Sequence, residues 1–166
     1  MATAGKNLSD HLREELPEEL SRIPNGKNFN VGIVVAEWNY DITGNLLKGA
    51  LKTLLENGVL EENIVVKHVP GTFELPLGAQ YLLEQEDVHG VIAIGSVIQG
   101  ETKHFDFVCQ GAALGIKDVA LEFSSPVMFC VLTDNTKQQA IDRSGGIHGN
   151  KGDEAAVGLL KMLDRF

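Results

Sequence analysis

A chain of 166 residues, 43% hydrophobic and 22% charged, has the size and composition of one globular domain able to bury its own core. Its net charge of −9 and pI near 4.9 speak against nucleic-acid binding, which calls for a basic face, and no apolar run approaches the ~20 residues that a membrane-spanning helix needs. Two cysteines, Cys109 and Cys130, lie in apolar runs without metal-type spacing, which predicts buried thiols and, with an N-terminus lacking the basic-then-apolar order of a secretory signal, a cytoplasmic setting.

In chain order, residues 1–28 are polar, acidic and unpatterned, and read as an arm punctuated by Pro24 and Gly26, ahead of a domain at 29–166. The first expected strand is Asn30–Glu37. A helix follows, with Ile42, Leu46, Ala50 and Leu54 every four residues and a stop at Asn57-Gly58. A second strand, Asn63–Val69, leads into VPGTFELP, where Thr72 is the expected N-cap of a helix carrying Pro76 in its first turn and Leu75, Ala79, Leu82 and Leu83 on its apolar face. A third strand, Gly90–Val97, runs into IGSVIQGETKHFDF and a helix with Phe105, Cys109, Ala112, Ile116, Ala120 and Phe123 on one face. A fourth strand, Pro126–Leu132, precedes a short helix from about Thr136 to Arg143, ended by Gly145-Gly146, and a last helix from about Lys151. The strands are continuous apolar runs rich in β-branched residues, the pattern of parallel strands covered on both faces. Strand and helix alternate four times, so right-handed crossovers predict a doubly wound α/β three-layer sandwich around a four-stranded parallel sheet, with ligands beyond the carboxyl ends of the strands.

The chemistry-bearing residues fall at those ends. Gly95, Gly100 and Thr102 nearly spell a nucleotide-binding loop, but the lysine position holds Glu101, which speaks against a nucleoside triphosphate and leaves a monophosphate open. Gly100 allows close approach, and the N–H groups that open the next helix can face an anion; a plain strand-to-helix turn is the competing reading. His104, on the first turn of that helix, is either a capping residue or a group that moves protons near the cradle. Trp38, the one tryptophan, is either a stacking platform for a planar heterocycle or a core aromatic closing the sheet. Glu74 either complements a helix dipole or accepts from ligand hydroxyls, and Arg143 either complements a helix C-terminus or clamps phosphate. Lys151, at a helix start, is poorly placed for the dipole, which favours a ligand or ionic role. His11, His68, His89 and His148 show no partnering pattern, and no catalytic metal is expected.

Five segments in order, EWNYDITGNLLKGA, VPGTFELP, IGSVIQGETKHFDFV, VLTDNTKQQAIDRSGG and HGNKGDEAA, resemble the lumazine synthase family of riboflavin biosynthesis, from Asn30 to the C-terminus. The resemblance implies a flavodoxin-like fold that condenses 5-amino-6-(D-ribitylamino)uracil with 3,4-dihydroxy-2-butanone 4-phosphate, releasing phosphate and water, without a cofactor. It implies that Trp38 and Asn39, where the family usually has Phe-Asn, meet the pyrimidine together with the backbone of Ser96, Val97 and Ile98. Thr72, Phe73 and Glu74 would hold the ribityl chain and ring edge, and Glu101 and Thr102 would present N–H groups to the butanone phosphate. His104 would move protons, with Phe129 and the phosphate-binding Arg143 arriving from a neighbouring subunit and Lys151 in support. It further implies a homopentamer, and the short RSGGIHGNKG between the last two helices favours twelve pentamers in an icosahedral shell. The arm would add a strand to a neighbouring subunit, and riboflavin synthase is a partner the family allows. Two departures are Trp38 itself and Gln99, where many relatives carry Arg or Lys.

Overall fold

The computed structural model describes residues 16–166; the first fifteen residues of the expected arm, His11 among them, lie outside the described residues. The rest of that segment lies against the domain. A single-turn helix α1 (Glu18–Ser21) follows Pro17, the Leu20 carbonyl accepts from Lys161 Nζ at 2.7 Å, Ile23 packs on the core, and Pro24 is buried.

Beyond it the chain alternates as expected: β1 (Val31–Ala36), α2 (Tyr40–Glu56), β2 (Ile64–Val69), α3 (Leu75–Gln85), β3 (Gly90–Ile98), α4 (His104–Phe123), β4 (Val127–Asp134), α5 (Lys137–Arg143) and α6 (Lys151–Arg165). The four strands form one parallel sheet in the order β2-β1-β3-β4, with Val31 opposite both Ile64 and Gly90, and Ile98 opposite Asp134. Ile33, Val35, Ile92, Ile94 and Leu132 point to the side where α2 and α6 pack, against Ile42, Leu46, Leu159 and Leu160. Val34, Ala36, Val91, Ala93 and Val131 point to the other side, against Leu75, Ala79, Leu82 and Ile116 of α3 and α4. This period-two sorting of one apolar strand onto two helix layers is why the runs show no polar alternation.

Cover on both faces holds fully only for the central strands. β1 is buried throughout and β3 through Ser96, whereas β2 exposes Lys67 and His68, and β4 exposes Phe129 and Thr133. Three local expectations are corrected. Thr72 does not cap a helix: Thr72–Glu74 form a 3-10 turn, and α3 begins after it, with Pro76 in its first turn. Cys130 is buried, but Cys109 is half-buried, because the inward face of α4 narrows to Ala112, Ile116 and Val119. Between α5 and α6, where no strand was expected, Ser144–Gly146 (β5) and Gly149–Asn150 (β6) pair antiparallel, and Asn150 then caps α6 by accepting from the Gly152 N–H.

Candidate active site

The loops after β1, β2 and β3 open into one cavity of about 650 Å³ at the carboxyl end of the sheet. Its lining brings together Trp38, Asn39, Thr72, Phe73, Glu74, Ser96, Val97, Ile98, Thr102 and His104 from the expected set, with Gly71 and Gly100.

Each wall has a local cause. Beyond β1 the ladder is prolonged by two bonds, Glu37 N–H to the Val69 carbonyl (2.8 Å) and Trp38 N–H to the Pro70 carbonyl (3.1 Å). Asn39 then turns the chain in the left-handed region at φ 59° and ψ 44°, and its Nδ2 donates to the Ser96 carbonyl at 2.9 Å. Asparagine tolerates that conformation better than most residues. Thr43 Oγ1 donates to the Ala36 carbonyl, binding the first turn of α2 to the strand end. Trp38 is therefore carried on a fixed loop with 74% of its surface exposed, which removes the core-aromatic reading and leaves a bare planar face.

The second wall is the 3-10 turn. Thr72 is buried against β3, where a Cβ at Gly95 would come within 2.8 Å of the Thr72 Oγ1, so glycine there lets the turn sit on the strand. Phe73, 61% exposed, lies over Gly111 of α4, and Glu74 presents an exposed carboxylate beside it. Ser96 is buried, and its Oγ has no hydrogen-bond partner among the described residues.

The third wall is Gln99–Lys103. The Gln99 N–H is held by the Asp134 carbonyl at 2.9 Å, but those of Gly100, Glu101, Thr102 and Lys103 donate to none of the described residues. The next, from His104, meets Thr102 Oγ1 at 3.4 Å. A Cβ built on Gly100 would meet no atom within 4 Å, so the space over this backbone is open. Four free N–H groups ahead of a 20-residue helix are donors of the kind that can meet an anion, and the exposed His104 stands beside them. The Glu101 side chain is exposed and does not line the cavity.

Besides Glu101, three expected residues are absent from the lining of this cavity. Phe129 is on the edge strand β4, 44% exposed on the α4 side of the sheet. Arg143 ends α5; its Nη1 donates to the Gln139 carbonyl at 3.0 Å and its Nε lies 3.8 Å from Asp134 Oδ1. Lys151 pairs with Glu154 one turn along α6 at 2.6 Å, both largely buried, and its carbonyl accepts from the Cys130 thiol. Sequence reasoning missed Phe107 and Val108, which join Phe105 in the lining; their place one turn beyond His104 was the signal. Among the described residues no three His, Cys, Asp or Glu side chains converge on a metal position, and no helix is long and apolar enough to cross a membrane.

Comparison with known proteins accords with this geometry. The family model for 6,7-dimethyl-8-ribityllumazine synthase matches residues 28–166. The chain is 54% identical to the 6,7-dimethyl-8-ribityllumazine synthase of Porphyromonas gingivalis over 98% of its own length and 96% of that protein's. It is 53% identical to the enzyme of the same name from Cytophaga hutchinsonii, over 98% of both chains, and 53% to that of Flavobacterium johnsoniae, over 98% of this chain and 82% of the relative. With a family model matching residues 28–166 and relatives more than half identical over nearly the whole chain, the protein belongs to the 6,7-dimethyl-8-ribityllumazine synthase family.

Proposed function

We propose that the cavity between Trp38 and the Gly100–Lys103 loop is where this synthase joins 5-amino-6-(D-ribitylamino)uracil to 3,4-dihydroxy-2-butanone 4-phosphate. The observation that carries this reading is the row of unpartnered N–H groups beside His104, in a loop whose Gly100 lines the same cavity as an exposed indole.

The pyrimidine stacks on Trp38 and reaches the edges of Ser96, Val97 and Ile98; the ribityl hydroxyls meet Thr72, Phe73 and Glu74. The phosphate ester lies on the N–H groups of Glu101 and Thr102. The pyrimidine's amine attacks the ketone, water leaves to give an imine, phosphate departs by elimination, and the second amine closes the ring with loss of a second water. Each step moves a proton at nitrogen or oxygen, the task of His104. Charge grows on the departing phosphate, where preorganised donors help most. Holding two reactive partners together supplies much of the acceleration.

Arg143, Phe129 and Lys151 line no part of this chain's cavity, which supports their serving a second copy, Arg143 on phosphate, Phe129 on the ring and Lys151 in support. Phe107, Leu114 and Leu121 stand exposed at seven-residue intervals along α4, a stripe suited to packing against the same helix of other copies. A homopentamer is the assembly this reading adopts, and the seven-residue link from Ser144 to Asn150 is short enough for twelve pentamers to close a shell.

The test mixes purified protein with both substrates and follows lumazine absorbance against a protein-free blank. Saturable turnover above the blank is expected; binding of lumazine or riboflavin with no turnover would make the chain a carrier instead. His104→Ala should lower kcat about tenfold or more while leaving measurable turnover. Arg143→Ala should raise KM for the butanone phosphate, and an unchanged KM removes that assignment.

A further inference from the structure

Asp134 is a buried charge that the proposed chemistry leaves unused. It closes β4, is 7% exposed, and its Oδ2 has no hydrogen-bond partner among the described residues. A buried carboxylate with an unmatched oxygen weakens a fold, and an apolar or amide side chain would pack there at lower cost. What lies against it is Arg143, whose Nε is 3.8 Å from Oδ1, the one carboxylate within 4 Å of that guanidinium among the described residues. Arg143 also donates from Nη1 to the Gln139 carbonyl, so two contacts hold the inner side of the guanidinium. Its Nη2 makes no hydrogen bond or ion pair with a described residue, and the side chain stays 35% exposed. The Asp134 carbonyl meanwhile anchors Gln99, the residue that leads into the Gly100–Lys103 loop.

We infer that Asp134 is a positioning residue for the phosphate substrate, holding the Arg143 guanidinium by its Nε side so that its outer edge remains turned towards the phosphate ester. The inference rests on the reading of Arg143 as a phosphate ligand. Fixing a planar fork before the anion arrives removes the ordering that binding would otherwise have to supply. The carboxylate is kept for that orientation and not for stability. Burial pushes the pKa of Asp134 up, and Arg143 pulls it down by less. A carboxyl whose folded pKa lies above its unfolded value takes stability away as pH rises through the interval between the two, so its ionised form is a net cost at neutral pH.

The experiment compares Asp134→Asn, Arg143→Ala and the double variant with the parent enzyme, reading kcat, both KM values and the thermal midpoint at neutral pH. Asp134→Asn should raise KM for the butanone phosphate about fivefold, with the pyrimidine KM and kcat within about twofold and the thermal midpoint unchanged or higher. The double variant should be no weaker for phosphate than Arg143→Ala alone, because the carboxylate acts only through the arginine. A normal phosphate KM in Asp134→Asn beside a raised one in Arg143→Ala overturns the inference and spares the arginine. A normal KM in Arg143→Ala overturns both. A lowered thermal midpoint with both KM values raised together makes Asp134 a structural residue and also overturns it.

Discussion

Asn39 shows how one residue can fix a site by accepting strain. At φ 59° an ordinary side chain crowds the following carbonyl, and the Nδ2 bond to the Ser96 carbonyl offsets that by tying the loop after β1 to the end of β3. Asn39→Ala should lose both the bond and the tolerance of the left-handed turn, lowering unfolding free energy by about 2 kcal/mol. Asn39→Gly keeps the turn and loses only the bond, so about 1 kcal/mol is expected. Urea denaturation of the two separates these contributions, and equal losses would show that the turn itself is unstrained. Because Trp38 rides on the same loop, both variants should also raise the pyrimidine KM. Ser96 differs in kind: its buried Oγ lacks a partner where a neutral apolar group would pack, and nothing else in the structure explains it.

At the scale of elements, the cavity depends on how closely α4 approaches the 3-10 turn. A Cβ at Gly111 would fall 2.7 Å from Phe73 Cε2, so the absence of a side chain there is what seats the ring. Gly111→Ala should push Phe73 outward. The ring is already 61% exposed and can swing into solvent, so the stability loss should stay under about 1 kcal/mol while the pyrimidine KM rises severalfold. A loss above about 3 kcal/mol would mean that the ring is pinned and that α4 itself has moved. This contact also marks where the sequence stopped being informative. The four strands and the helices between them were legible because each is a long apolar period bounded by turn residues, and the open loop of unpartnered N–H groups was legible because Gly100, Glu101 and His104 fall at a strand-to-helix junction. The 3-10 turn was not, since Thr72 ahead of Pro76 carries the same signal as a helix cap. Nor was the β5–β6 pair, whose glycines also mark loops. Phe107 escaped because it falls off the apolar face marked by Phe105, Cys109 and Ala112, which left its place one turn beyond His104 as the one signal.

The whole molecule poses the question of how a site can be complete when Arg143 and Phe129 line no part of the cavity that holds His104. If one chain sufficed, both would have to swing across from β4 and α5. That would break the Arg143 bond to Gln139 and pull Phe129 away from its place in mid-strand, opposite Ala93. A second copy would supply the same groups without moving either, and a ring of copies would give every cavity one such neighbour. The two readings part when variants are mixed. His104→Ala and Arg143→Ala subunits, each impaired alone, should regain activity when unfolded together and refolded in equal amounts. A site with His104 from one parent and Arg143 from the other is then intact, and random assembly makes about one site in four of this kind. Recovery to about a quarter of the parent rate is therefore expected with the butanone phosphate held well below KM, at a concentration where sedimentation shows assembled protein. A mixture no more active than the mean of its two parents would place both residues in one chain's site and make the assembly a matter of stability alone.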